Sequence, residues 1–394
     1  MDSLRNPFSP GAGSPPPELA GRKEILDKAM LALARIRRGR AEKSLILVGL
    51  RGVGKTVLLH RISEMAERDG YHALMIEAQE GKNLPQLLIP YLRTLLYSLD
   101  SEKALSSKVK RALRVLKSFS IHVKPDGEIG FGIDLDPERG VADSGDLEAD
   151  LTQLFVALGE AARDRDTAIA IIVDEMQYLS EVELGSLIMA VHKISQKSLP
   201  LILIGAGLPQ LRGKAGNAKS YAERLFDYPE VGQLSQEDAS IALQEPVKEE
   251  GVEFTDDALR KVLQVTCRYP YFLQQWGYNS WEIAENSPID RDAVQSATEE
   301  SIARLDKNFF RVRFDRLTPR EREYLRAMAE LGDGAHRSGD IAAKLGKEVQ
   351  SVAPLRNNLI RKGMIYSPAH GDTEFTVPLF GEFMKRIMPN YPVR

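Results

Sequence analysis

The sequence predicts an α/β protein: a parallel-sheet core with a phosphate-binding loop, then a helical region, then a C-terminal winged helix-turn-helix. Three observations predict it. The stretch "GLRGVGKT", residues 49–56, follows the apolar run Ser44–Val48 and has the spacing G-x-x-x-x-G-K-[ST]. Further near-continuous apolar runs alternate with helical patterns up to about residue 234, as in a parallel sheet covered on both faces. Beyond that the pattern is helical, and the chain ends in three short helices and a strand–turn–strand.

With 394 residues the chain is long enough for two to three domains. Its hydrophobic fraction of 43% is that of a soluble globular protein, and no apolar stretch approaches the ~20 residues of a membrane span. The N-terminal residues hold no apolar signal-peptide core, and one cysteine, Cys267, leaves no internal disulfide. Both features suit a reducing cytoplasm. A net charge of −3 argues against a whole-protein polyanion binder but leaves room for a local basic face.

Residues 1–18, rich in Pro, Gly and Ser, read as an extended arm. A helix follows with an apolar stripe of Leu26, Met30, Leu33 and Ile36. Arg35, Arg37, Arg38 and Arg40 at its end suit the helix dipole, which we prefer to a nucleic-acid patch. Ser44–Val48 is strand one and 56–68 an amphipathic helix. Strands two, three and four are expected at 72–78, 168–175 and 199–207, with a short fifth near 231–234. An insert at about 95–145 separates strands two and three. It opens with the basic helical stretch "SSKVKRALRVLK". Phe119, Ile121 and Val123 then alternate, as do Ile129, Phe131, Ile133 and Leu135, around Pro125-Asp126-Gly127, which predicts a β-hairpin.

Residues 235–315 read as a helical lid, with Thr255 capping one helix. Thr318-Pro319-Arg320-Glu321 is a capping box. It opens the last unit, 316–394, with further helices at 338–345 and 351–362 and a hairpin after Gly363. Pro354 is expected in the first turn of its helix, where it is tolerated. The unit holds 13 Lys/Arg against 9 Asp/Glu, a net of +4.

The chemistry sits at two strand ends. Gly49, Gly52 and Gly54 let the loop, with Leu50, Arg51, Val53 and Val57 around them, aim backbone N–H groups at a phosphate. Lys55 can reach the β- and γ-phosphates, and the Thr56 hydroxyl can bind Mg²⁺. The run "AIAIIVDE" ends in Asp174, placed for the same Mg²⁺, and Glu175, placed to polarise an attacking water.

With these two motifs in place the chain resembles the AAA+ and STAND P-loop ATPases, nearest the group of archaeal-type ATPases and origin-recognition initiators. The resemblance covers most of the chain, from "ELAGR" to the winged helix. It implies a P-loop NTPase parallel sheet core with a helical lid domain, and ATP with Mg²⁺ as cofactors. Leu19-Ala20-Gly21-Arg22 matches the segment that wraps the adenine, which gives base contacts to Leu19 and Gly21. "KSYAERLFDYPEV" offers Arg224 as an arginine finger reaching a neighbouring subunit. Two departures are evident. The end of strand four reads Gly205-Ala206-Gly207 instead of carrying a polar sensor residue, with Gln210 the nearest polar side chain. The lid stretch "CRYPYFLQ" resembles the Gly-x-Pro element of STAND proteins, with Arg268 in place of the glycine, and implies that Pro270 and Tyr271 line the adenine pocket. Both departures point to a slow switch.

The expectation is thus an ATP-hydrolysing switch, with Lys55, Glu175 and Arg224 in catalysis, that couples nucleotide state to double-stranded DNA or to a partner. Val352, Leu355 and Leu359 are expected inside the winged unit, and Gln350, Asn357, Arg361, Lys362 and His370 on its DNA-facing side, with Lys385 and Arg386 beyond. The alternative is a non-catalytic, nucleotide-gated regulatory module that uses the winged helix for protein contacts. A homo-oligomer or partner protein fits either reading; a membrane fits neither.

Overall fold

The computed structural model describes residues 1–11, 13–100, 106–123, 136–369 and 371–391. They fall into two compact units, Lys23–Gly49 with Lys55–Val231, and Met1–Arg22 with Leu50–Gly54 and Gly232–Arg394. The first runs α1 (Lys23–Arg37), β1 (Ser44–Val48), α2 (Lys55–Arg68), β2 (Tyr71–Glu77), α3 (Leu84–Ser98), α4 (Ser107–Val123) and α5 (Leu147–Asp164). It continues with β3 (Ala168–Asp174), α6 (Glu181–Gln196), β4 (Leu201–Gly207), α7 (Leu211–Ala218), α8 (Ala222–Leu225) and β5 (Phe226–Asp227).

Among the described residues these strands form one parallel sheet in the order β2-β3-β4-β1-β5. The apolar runs of β1, β3 and β4 are buried at every position, as inner strands sandwiched by helices must be. The order puts the ends of β1, β4 and β3 side by side, so the loop after β1 and the carboxylates after β3 open on the same edge.

Three expectations need correction in this unit. The α1 stripe holds Leu33 and Ile36 but not Met30, which is 55% exposed; the small Ala29 and Ala32 fill the buried face. The fifth strand is Phe226–Asp227, with only an isolated bridge from Val48 to Glu230 beyond it. The hairpin is not formed at 119–123, because α4 continues to Val123. Val109, Ala112, Leu113, Leu116 and Phe119 share its buried face at helical spacing, whereas Ile121 is exposed. The rest of the expected hairpin, 124–135, lies outside the described residues. Helix α4 packs on α3 and α5 and joins the core of the sheet.

The second unit runs α9 (Gln236–Glu249), α10 (Asp256–Val265), α11 (Pro270–Ile283), α12 (Arg291–Arg304), a π-helical turn (Leu305–Phe310) and α13 (Arg311–Asp315). Then come α14 (Pro319–Glu330), β6 (His336–Arg337), α15 (Ser338–Lys344), α16 (Val349–Arg361), β7 (Ile365–Tyr366), β8 (Asp372–Phe375) and α17 (Phe380–Ile387). The last group has the helix-and-hairpin outline expected of it, with an antiparallel sheet in the order β6-β8-β7. Thr318 and Glu321 form the capping box of α14. Phe310, Phe380 and Phe383 cluster at centroid distances of 5.3–5.6 Å and join α17 to the π-helical turn.

Two details differ from expectation here. Helix α16 starts at Val349, so Pro354 lies inside the helix and not in its first turn. The N-terminal arm is packed down. Phe8 is 3% exposed and fills the space left by the missing side chain of Gly277, and the Trp281 indole N–H donates to Asp2 O at 2.9 Å.

Candidate nucleotide site

The loop between β1 and α2 has the backbone its glycines predict. Gly52 and Gly54 sit at φ +81° and +93°, the left-handed region that L side chains rarely adopt. At the base of the loop the Gly49 N–H donates to Gly207 O at 3.1 Å, which ties its start to the end of β4. Lys55 is 6% exposed, and its Nζ donates to Gly49 O at 2.9 Å. The ammonium is therefore folded back over the loop that it would share with a phosphate.

At the loop tip three successive carbonyls are taken up within the second unit. The Tyr269 hydroxyl donates to Arg51 O, the Tyr271 N–H to Gly52 O at 3.1 Å, and Arg22 Nη2 to Val53 O at 3.2 Å. The same Arg22 nitrogen donates to Gly232 O at 2.6 Å. Burial pulls the Arg22 guanidinium below its ordinary pKa, and Asp238 opposes that shift. Tying these carbonyls fixes the peptide planes and so the direction of the N–H groups. Arg22 and Tyr269 are contributors that the sequence did not single out; Arg22 follows directly on the Leu19–Gly21 stretch that it did.

Asp174 and Thr56 meet. The Thr56 hydroxyl donates to Asp174 Oδ2 at 2.6 Å, and the Glu175 N–H donates to Oδ1 at 2.8 Å. Asp174 is 4% exposed, and burial pushes its carboxyl above the ordinary carboxylate range, partly offset by the Thr56 bond. A buried carboxylate beside a hydroxyl is a hard-oxygen pair that a Mg²⁺ would satisfy. Among the described residues no group of three His, Cys, Asp or Glu could hold a metal.

Glu175 stands at φ +52°, a left-handed turn rare for a non-glycine residue, and begins a 3₁₀ turn over Met176–Tyr178. The strain redirects the chain just past β3, as functional sites often do.

The other expected site residues are more dispersed. Leu50, Arg51 and Val57 flank the glycines and are half-buried, and Val53 is buried. Leu19 is half-buried, and Gly21 takes φ +69° against the Asp238 side chain. Pro270 opens α11, and the Tyr271 ring stacks on Phe309 at 4.9 Å. Arg224 is exposed on the single turn of α8. In the C-terminal unit Gln350, Asn357 and Arg361 are exposed on α16, while Val352 and Leu359 are buried. Lys362 is occupied internally: its Nζ meets Glu321 Oε2 at 2.7 Å and Arg316 O at 3.0 Å. Arg386 pairs with Asp306 at 2.7 Å. His370 lies outside the described residues. Among the described residues no helix is long and apolar enough to cross a membrane.

Comparison with known proteins agrees with this geometry. Residues 18–204 match the family model of the AAA ATPase domain, and residues 307–384 match one described as a domain of unknown function (DUF8462). No curated protein matches the sequence. The Walker-type ATPase PABY2304 of Pyrococcus abyssi is similar in fold: 16% identity, 93% of this chain and 96% of that one, TM-score 0.56. More distant are the RuvB Holliday junction branch migration motor of Thermotoga maritima (16% identity, coverage 94% and 95%, TM-score 0.45) and Aeropyrum pernix ORC1 in complex with DNA (16%, 94% and 93%, 0.46). The glycine loop after β1 and the carboxylates at the end of β3 both fall within residues 18–204, the stretch that matches the AAA ATPase domain model.

Proposed function

We propose that the chain is an ATP-hydrolysing switch whose nucleotide state alters the binding of DNA or a partner through the C-terminal unit. The observation that carries the reading is the 2.6 Å bond from Thr56 to Asp174, which joins the ends of the two motifs behind the phosphate loop. In this reading the loop N–H groups and Lys55 hold the β- and γ-phosphates, and Leu19, Gly21, Pro270 and Tyr271 contact the base. Thr56 and Asp174 hold Mg²⁺, which when bound neutralises charge on the phosphate oxygens. Glu175 orients water: its oxygen attacks the γ-phosphorus, the bond to the β–γ bridging oxygen breaks, and the water proton passes to the carboxylate. ADP and phosphate leave. Arg224, exposed on α8, would complete the site of a neighbouring copy.

A second reading is favoured by Lys362 and Arg386, which though exposed are each paired with a carboxylate of the chain itself, Glu321 and Asp306. There the C-terminal unit contacts protein, and nucleotide gates that contact with little hydrolysis. Phosphate release with and without duplex DNA separates the two. Turnover that duplex DNA changes supports the switch on DNA. DNA-independent, near-zero turnover with intact ATP binding supports the regulatory module.

A further inference from the structure

The end of β4 lacks the polar side chain usual in such ATPases, reading Gly205-Ala206-Gly207, and the structure gives a reason. A Cβ on Gly205 would stand 2.1 Å from Met176 Sδ, and one on Gly207 would stand 2.7 Å from Leu211 Cδ2 and 2.9 Å from Gln177 Oε1. The two glycines are notches for the side chains that follow Glu175. Through the second notch Gln177 reaches back to the site.

Its amide is held at both ends. Gln177 Oε1 accepts from the Leu208 N–H at 3.1 Å, and Gln177 Nε2 donates to Glu175 Oε2. The two partners fix the amide orientation, because an N–H can face only the oxygen and a carboxylate only the nitrogen. The backbone of the turn is clamped as well: Lys214 Nζ donates to Gln177 O at 3.2 Å and also to Leu179 O. A carboxylate on a strained left-handed residue is thereby aimed by the strand next to it.

We propose that Gln177 is a positioning residue for Glu175 and does the work of the missing polar residue at the end of β4. It holds Oε2 of Glu175 so that Oε1 meets the attacking water, and its anchor on Leu208 makes the aim depend on the β4 end. This rests on the reading of Glu175 as the base.

The test is steady-state phosphate release over a range of ATP concentrations and pH, with ATP affinity measured separately by calorimetry. Gln177→Ala should lower kcat at least about tenfold, a part of the ~10²–10⁴ that a positioned base supplies. ATP affinity should stay within about twofold, since the amide touches no residue proposed for phosphate or base binding. Gly207→Ala should lower kcat as well, because its methyl group crowds the amide oxygen along with the Leu211 side chain. Gln177→Glu gives a readout that structural damage would not. Its carboxyl can donate to Glu175 only when protonated, so its kcat should rise as pH falls where the wild type does not. Wild-type kcat in Gln177→Ala, or a wild-type pH profile in Gln177→Glu, overturns the proposal. Glu175→Gln keeps the two readings apart. If it turns over like wild type, the base assignment fails; if it is slow while Gln177→Ala is normal, only the positioning role fails. A wild type without turnover overturns both.

Discussion

The Thr56 hydroxyl and the Asp174 carboxylate share a 2.6 Å hydrogen bond, linking the start of α2 to the last residue of β3. Asp174 is buried and bears the cost of that burial as a raised pKa. A carboxylate held this way is poised for a cation, because binding one relieves an existing electrostatic penalty.

Asp174→Asn should therefore separate stability from function. The folded pKa of Asp174 lies above its unfolded value, so the folded chain binds more protons between the two. Stability falls as pH rises through that window, which starts near ~4. The amide carries no charge to bury, although it can accept from only one of Thr56 and the Glu175 N–H. The thermal midpoint of the nucleotide-free protein should therefore fall less, as pH rises from ~4 towards neutrality, than that of wild type. The Mg²⁺-dependent gain in ATP affinity should disappear. A midpoint with the wild-type pH dependence by calorimetry would contradict the burial argument.

Lys55→Ala should weaken ATP binding at least about 30-fold, since a charge-assisted bond worth ~2–3 kcal/mol to the phosphates is lost. The variant loses the bond to Gly49 O, but the Gly49 N–H stays on Gly207 O, so the base of the loop should remain tied to β4. Calorimetric affinity equal to wild type in a folded variant would remove Lys55 from the site.

Arg22→Lys tests the tied loop tip. One guanidinium nitrogen serves both Val53 O and Gly232 O, and an ammonium on a flexible stem lacks the rigid fork that reaches them. Nucleotide affinity should fall about tenfold, for ~1–1.5 kcal/mol of lost preorganisation. The measurement is again direct binding, and an unchanged Kd would show that the tip does not depend on Arg22.

These outcomes bear on what the sequence could reveal. The glycine loop and the carboxylates after β3 were legible because fixed spacing and flanking elements carry their chemistry, and both motifs end buried strands. The alternation of Phe119, Ile121 and Val123 misled because three positions fit either period; the longer stripe Val109, Ala112, Leu113, Leu116 and Phe119 decides for the helix. Strand five was short enough that one pairing with β1 set its limits. The role of Gln177 was not legible at all. It depends on the Leu208 N–H, 31 positions away, and on a glycine notch that becomes visible only when β3 and β4 lie side by side.

Arg224→Ala should leave ATP affinity intact and lower turnover only at concentrations where the wild type assembles, since a finger acts on transition-state charge across an interface. Phosphate release measured across a dilution series checks this. Wild-type turnover that does not change with protein concentration would remove the role in trans.

The C-terminal unit offers the sharpest contrast between neighbouring residues. Arg361 and Lys362 are both exposed cations at the end of α16, yet their surroundings differ. Arg361 bonds the Asn358 side chain one turn back, whereas Lys362 meets Glu321 of the α14 capping box and the Arg316 carbonyl. Glu321 is buried, and its carboxyl is held below the ordinary range by Lys362 and Thr318 against the pull of burial. If α16 lies on duplex DNA, Arg361→Ala should weaken binding and reduce its salt slope by about one phosphate contact. Stability should be unaffected. Lys362→Ala should lower the thermal midpoint instead, because Glu321 loses its cation while its carboxylate stays buried. Gln350→Ala and Asn357→Ala, on the exposed face of α16, should change preference among duplexes more than overall affinity. Fluorescence anisotropy across a salt series, alongside thermal melts, separates these effects. Salt-independent anisotropy for wild type with ATP and with ADP would assign the face of α16 to protein contacts, and the Lys362–Glu321 pair would remain as structure alone.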